Sequence, residues 1–260
     1  MRKIYIAIAL ISYIIVFISG FIFHYLIYSF SEIEKQNEIE EYSINNNTQK
    51  YESFNGQRNS LANIVAVTNY GEGILGKVNV EIREGRGRVL IETNPFTEPD
   101  IQFSVETASK VAQDFTKISI KDKDIILSFD VRGKLIGGGS AGAAITSAII
   151  AAIQNRKVRD DVVITGTIEA NGNIGKVSGI LEKMQAASEN NIKFFLLPKG
   201  QRYLTVYELK TKTERRGNFI FERRYYSPVE IDLKEFAEEE LNMTVIEISN
   251  IKEAVKYLLL

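Results

Sequence analysis

From Ile4 to Tyr28 the chain runs 25 residues with only Ser12, Ser19, Gly20 and His24 interrupting its apolar character. As a helix this run reaches about 37 Å, more than the ~30 Å hydrocarbon core of a bilayer. A signal-peptide core is shorter and ends in a small-x-small site, for which Ile18-Ser19-Gly20 is a poor match. The run therefore reads as a retained transmembrane anchor, with a cleaved signal as the alternative. Arg2 and Lys3 precede it; Glu32, Glu34, Glu38, Glu40 and Glu41 follow, opposed only by Lys35. Basic flanks stay in the cytoplasm, so the expected topology is single-pass, N-terminus cytoplasmic, body outside the cell membrane. His24, near the outer end, reads as a neutral ring at the interface.

Residues 31–58 are polar, with Ser43-Ile44-Asn45-Asn46-Asn47-Thr48 at their centre, and read as a stalk or as a short charged helix followed by linker. The expected division is an anchor at 1–30, the linker at 31–58 and a folded body at 59–260. Within the body, Ile64–Val67 is a short apolar run, and Val78, Val80 and Ile82 alternate after Gly76. Val89-Leu90-Ile91 follows a Gly-rich turn, and together these predict a meander. Phe103, Val105, Ala108, Val111, Ala112 and Phe115 recur at helical spacing. Ile125–Phe129 predicts a strand, and Ser140–Ile153 a helix rich in Ala and Ile. Val162–Ile168 and Phe194–Leu197 predict strands, with a turn and helix over Val177–Ser188 between them. Residues 201–230 are polar and rich in Arg, Lys and Tyr, and read as an excursion from the core. Thr244–Ile248 and a helix from Ile251 close the chain. Sheet and helices mixed in this way are α+β or α/β.

Composition removes most chemistries. The chain has no cysteine, which excludes disulfides, a thiol nucleophile and thiolate metal sites. It has one histidine, so a Ser-His-Asp machine would depend on His24 alone. With 32 basic and 33 acidic side chains, the net charge of −1 gives no sign of a nucleic-acid binder, which would show a strongly basic face.

Two glycine motifs invite a reading. Gly71–Lys77 matches seven positions of a phosphate-binding loop, but Val78 replaces the Mg²⁺-binding hydroxyl and no helix follows, so a hairpin turn is expected. Gly138-Gly139-Ser140-Ala141-Gly142 fits a nucleophile elbow, whose mechanism requires a histidine after the serine; none exists. Ser140 could then be a helix cap, or its turn an anion site at a helix start. If Ser140 is a nucleophile, its proton acceptor must be a lysine held neutral by desolvation. Lys183 has Gly179, Ile180, Ala186 and Ala187 as helical neighbours, a small apolar face. Lys176 and Lys134 compete, and the residues alone leave the choice open.

Four blocks, in order, carry a resemblance: Gly139–Gly142, Val162–Ile168, Gly172–Ala187 and Ile192–Lys199. Together they resemble the proteolytic domain of Lon proteases, from about Asn63 onward. The resemblance implies an α+β fold of the Lon protease-domain type (ribosomal S5 domain 2-like), preceded here by one N-terminal transmembrane helix. It implies a Ser-Lys dyad of Ser140 and Lys183, 43 residues apart, with Thr165 as the lysine's hydrogen-bonding partner. It further implies an oxyanion hole with backbone donors at Gly139 or Ala141, a polypeptide substrate, and neither metal nor cofactor.

The chain departs from the family pattern in three places. An ATPase module precedes the protease domain in Lon enzymes, and nothing in these 260 residues supplies one. Family members often carry an acid one or three positions before the serine, where this chain has Gly139 and Gly137. Residues 201–230 exceed the usual short connection. The first departure and the anchor resemble archaeal membrane-anchored, ATPase-less Lon-like serine proteases. The expectation is an ATP-independent endopeptidase, membrane-attached through its N-terminal helix. A homo-oligomer is left open, since Lon domains form rings but no interface is readable here. The competing readings are a GHMP-type small-molecule kinase and an inactive peptide-binding ectodomain.

Overall fold

The computed structural model describes Tyr51–Leu260, save Lys134 and the side chains of Leu135 and Arg216. The expected anchor, His24 and most of the linker lie outside the described residues. Among the described residues no helix is long and apolar enough to cross a membrane.

β1 (Arg58–Val67) and β2 (Gly73–Glu84) form an antiparallel hairpin. β3 (Val89–Ile91) and β4 (Phe96–Thr97) are short, and α1 (Pro99–Thr116) follows. β5 (Lys123–Asp130) pairs antiparallel with β2 and parallel with β3, so the sheet runs β1-β2-β5-β3. β6 (Leu135–Ile136) pairs with β4, and a 3-10 turn over Gly139–Ala141 leads into α2 (Gly142–Gln154). β7 (Val162–Ile164), β8 (Thr167–Ile168) and β9 (Ile174–Gly175) precede α3 (Ile180–Glu189) and β10 (Phe194–Pro198). β11 (Tyr203–Arg216) and β12 (Phe219–Asp232) make a two-stranded ribbon. α4 (Leu233–Glu240), β13 (Thr244–Ile248) and α5 (Ile251–Leu258) complete the chain. A second, parallel sheet runs β13-β10-β7. This is a mixed α/β body consistent with a Lon protease domain.

The pattern of side chains explains the layers. In β2, Val78, Val80 and Ile82 point one way and are fully buried, as a half-buried strand requires. α2 is apolar on every side, and every residue from Gly142 to Ile153 is buried, the expected fate of such a helix. It packs against α1, β1 and β2. α1 places Ile101, Val105, Ala108 and Ala112 on that side. A second apolar cluster gathers Ile180, Met184 and Ala187 of α3 with Phe195, Leu233 and Val245.

Four differences from the sequence expectations have local causes. The helix expected from Ser140 starts at Gly142, and Ser140 itself sits in the preceding 3-10 turn. The strand expected over Val162–Ile168 breaks at Thr165-Gly166, because the Gly166 amide leaves the ladder and donates to the Ser140 carbonyl at 2.8 Å. The core reaches back into the expected linker: Phe54 is buried, with the Arg58 guanidinium 3.8 Å over its ring. Finally, α4 has no counterpart in the sequence reading; Asp232 caps it by accepting from the Lys234 amide.

The phosphate-loop-like segment forms the β1–β2 turn and the start of β2. Gly73 has a packing role there. A Cβ on it would lie 1.8 Å from the Glu182 carbonyl oxygen and 3.1 Å from the Ala186 Cβ. Only a hydrogen lets β2 approach α3 this closely. Gly73→Ala should push α3 away from the sheet and destabilise the fold by about 1–3 kcal/mol, the usual cost of overpacking. The measurement is urea unfolding; an unchanged midpoint would refute this account of Gly73.

Candidate active site

Three elements converge on Ser140. Its own turn is tied to the β7 side by two backbone bonds: Gly166 N–H to the Ser140 carbonyl at 2.8 Å, and Ala143 N–H to the Gly166 carbonyl at 3.0 Å. Thr165, fully buried, is anchored through its amide to the Leu196 carbonyl at 3.1 Å. α3 brings Lys183 from the other side. Its neighbours Ile180, Met184 and Ala187 face the second apolar cluster, and Lys183 is itself only 4% exposed.

The result is a chain of polar contacts inside an apolar surround. Lys183 Nζ lies 3.0 Å from Ser140 Oγ and 3.4 Å from Thr165 Oγ1. Burial pushes the Lys183 pKa from 10.5 down to about 8, and the Glu182 charge opposes this only in part. Desolvation disfavours the ammonium because burial strips its hydration, and the Glu182 charge does not make up the loss. An amine titrating near 8 is a competent proton acceptor at mildly alkaline pH. Lys176, the competing lysine that is described, is exposed; Lys134 lies outside the described residues. Gly139 and Ala141, the expected amide donors, flank Ser140 in the 3-10 turn. No cluster of three metal-ligating side chains occurs among the described residues.

A cleft of about 570 Å³ is lined by Val67, Tyr70, Glu98, Arg132, Gly133 and Gly137 among others; it reaches the Ser140 loop at Gly137, and Ser140, Thr165 and Lys183 are not part of its lining. The Val131–Gly133 backbone borders it. The β5 strand itself is less open to an added strand than its sequence suggests, because β2 and β3 occupy both its sides at Ile125–Leu127.

Sequence reasoning missed two features of the site. Carboxylates absent from the positions just before Ser140 arrive from the start of α1 instead. Asp100 Oδ2 accepts from the Gly138 amide at 2.6 Å, and a Cβ on Gly137 would strike Glu98 Oε2. Gly138 has φ +88°, which a side chain would resist, so the loop's shape needs both this glycine and the acceptor beyond it. The second feature is Gln201, which brackets the approach to α3: Val177 N–H donates to its Oε1 at 2.9 Å and its Nε2 donates to the Val177 carbonyl at 2.7 Å. Separations of 38 and 24 residues leave no local sequence signal for either contact.

Asp100→Ala should loosen the Ser140 loop. One partly exposed charge-assisted bond is worth about 1 kcal/mol, so the turnover rate is expected to fall about fivefold. Asp100→Asn, which keeps an acceptor oxygen, should restore most of it. Equal rates for the alanine variant and the parent would refute the positioning role.

Comparison with known proteins adds identity to the geometry. Residues 34–212 match the model of the Lon protease (S16) C-terminal proteolytic domain, more than half of the chain. The Lon protease of Ureaplasma parvum is 37% identical over 103 residues, 39% of this chain and 13% of that protein. The Lon protease of Fusobacterium nucleatum is 31% identical over 127 residues, 49% of this chain and 16% of that protein. The archaeal Lon protease of Archaeoglobus fulgidus is 28% identical over 144 residues, 55% of this chain and 23% of that protein. The matched stretches thus span less than a quarter of these relatives' lengths. On the family match, this chain belongs to the family of Lon protease C-terminal proteolytic domains.

Proposed function

We propose that the chain is a serine endopeptidase that hydrolyses unfolded polypeptides without ATP, with Ser140 as nucleophile and Lys183 as general base. The observation that carries this reading is the 3.0 Å contact between Lys183 Nζ and Ser140 Oγ. It occurs in a chain whose sole histidine lies far away in sequence, at position 24. Neutral Lys183 takes the Ser140 proton as Oγ attacks the scissile carbonyl carbon. The negative charge gathers on the former carbonyl oxygen, where amides of Gly139 and Ala141 donate to it. Collapse expels the amine, which takes its proton from the Lys183 ammonium and leaves an ester on Ser140. Water, deprotonated by Lys183, then attacks the ester carbonyl; the Ser140 Oγ leaves, recovers its proton from the Lys183 ammonium, and the acid is released. Thr165 Oγ1 holds the Lys183 amine on the serine side.

The ATP independence rests on the incomplete phosphate loop at Gly71–Lys77. Cleavage without ATP would be confined to substrates that are already extended. The cleft beside Gly137 and the Val131–Gly133 backbone would seat such a segment as an added strand. The basic-before, acidic-after flanks of the apolar run support a topology in which that run anchors the chain and this body lies outside.

The test incubates the chain with unstructured casein, without nucleotide, against Ser140→Ala. Cleavage by the parent and none by the variant is expected. A strict requirement for hydrolysable ATP, or equal cleavage by both proteins, would overturn the reading. Intact casein with native protein would leave a peptide-binding domain. Protease added to intact cells should digest the body; protection until lysis would reverse the topology.

A further inference from the structure

We propose that the β11–β12 ribbon is a membrane-contact element whose distal half lies in the headgroup region of an anionic lipid surface. The inference rests on the ribbon alone and is independent of the peptidase reading.

The ribbon has 14 paired rungs, from Tyr203↔Asp232 to Arg216↔Phe219, a span of about 45 Å. Only its base belongs to the body. Leu204 and Ile231 pack on the second apolar cluster, and Arg202 pairs with Asp232. Every described side chain from Tyr207 to Tyr226 is exposed. A two-stranded ribbon is marginal in water by itself. This one also carries Leu209, Phe219, Ile220, Phe221 and Tyr226 at 55–72% exposure. Apolar surface of that extent marks a contact site.

Charge identifies the contact. Leu209–Tyr226 holds six basic side chains against two acidic ones, while the rest of the chain holds 26 basic against 31 acidic. The ribbon's outer half is thus a cationic arm on an otherwise acidic protein. Lys212 pairs with Glu214 at 2.9 Å, while Lys210, Arg223 and Arg224 point into solvent.

The distribution over the two faces separates lipid from a protein partner. Side chains alternate between faces. One face carries Leu209↔Tyr226, Thr211↔Arg224 and Arg215↔Ile220; the other carries Lys210↔Tyr225, Lys212↔Arg223 and Glu214↔Phe221. A sheet that docks on a protein through one face is apolar there and polar on the other. Here aromatic and cationic groups appear on both faces and meet at the turn beside Phe219-Ile220-Phe221. Such an end suits a medium that surrounds it. At the headgroup boundary rings sit among the acyl ends and cations among the phosphates. Duplex nucleic acid would match the cations, but its stacked bases leave the Phe-Ile-Phe end without an apolar partner.

The chain contains no tryptophan, so one introduced indole reports a single place in the full-length protein. Phe221→Trp is the probe, and Phe103→Trp, exposed on α1, is the control. Each is mixed with vesicles of equal parts phosphatidylglycerol and phosphatidylcholine, and with phosphatidylcholine alone. With anionic vesicles the indole at 221 should shift to shorter wavelength and be quenched by brominated lipid, whereas the one at 103 should do neither. Adding Arg223→Glu and Arg224→Glu should weaken the vesicle affinity read at 221 by about 30-fold or more, from two lost basic contacts. Unchanged emission at 221 in anionic vesicles, including when an N-terminal segment carries the protein onto them, would overturn the proposal. A shift at 221 that depends on protein concentration without lipid would also overturn it and assign the ribbon to a second copy. Casein cleavage, read separately, is unaffected by either outcome.

Discussion

Lys183→Arg is expected to abolish cleavage while leaving the fold intact. The lysine amine can serve as a base because burial lowers its pKa to about 8. A guanidinium titrates above about 12 and stays protonated at any workable pH. It can donate to Ser140 Oγ but cannot take its proton. Removing a general base typically costs 10²–10⁴-fold in rate, and about 10³-fold is expected here. The same pKa sets the pH profile of the parent. With the neutral amine as the proposed active form, the rate should rise about tenfold from pH 7 to pH 9 and level off above. Initial rates on casein and a near-UV spectrum of both proteins check the two statements. Near-parental cleavage by the arginine variant would return Ser140 to the role of a turn residue. Lys176→Ala should retain activity, since that side chain is exposed.

Lys183→Met should be inactive and more stable than the parent at pH 7. The native amine titrates near 8 and the unfolded one near 10.5. Below about 8 both states carry the charge, and the native state bears the full cost of burying it. Between 8 and 10.5 the native state sheds its proton first, so the parent gains stability as pH rises. Above 10.5 the cost has gone. The displacement corresponds to about 3 kcal/mol. Losing the contacts to Ser140 and Thr165 offsets about 1 kcal/mol of the gain. Methionine is nearly isosteric and apolar, so a net gain of about 2 kcal/mol is expected at pH 7, or about 4–8 °C in Tm. The gain should shrink as pH approaches 10.5. A methionine variant less stable than the parent at pH 7 would mean that the buried amine is not strained, and the low pKa would lose its cause. The site would then be one more instance of activity opposing stability only in appearance.

Some of this protein was legible in its residues. The burial of α2 follows from a run of Ala and Ile with no polar side to expose, and β2 from its alternating valines. The hairpin nature of Gly71–Lys77 was readable from Val78 and the strand pattern around it. Ser140 and Lys183 were readable as a pair only through family resemblance, because the residues themselves left three lysines in competition. The tertiary structure decided the rest, since each remaining feature depends on segments distant in the chain. The Lys183 pKa is a property of what surrounds the amine, and that depends on Gly73 letting β2 reach α3. The break at Thr165-Gly166 occurs because a carbonyl from the Ser140 turn outcompetes a strand neighbour for one amide. The acid near Ser140 comes from α1, 38 residues before Gly138, where no spacing rule would seek it. Periodicity reports what a residue does to its own element; hydrogen bonds and desolvation between elements are set only when the chain has closed around them.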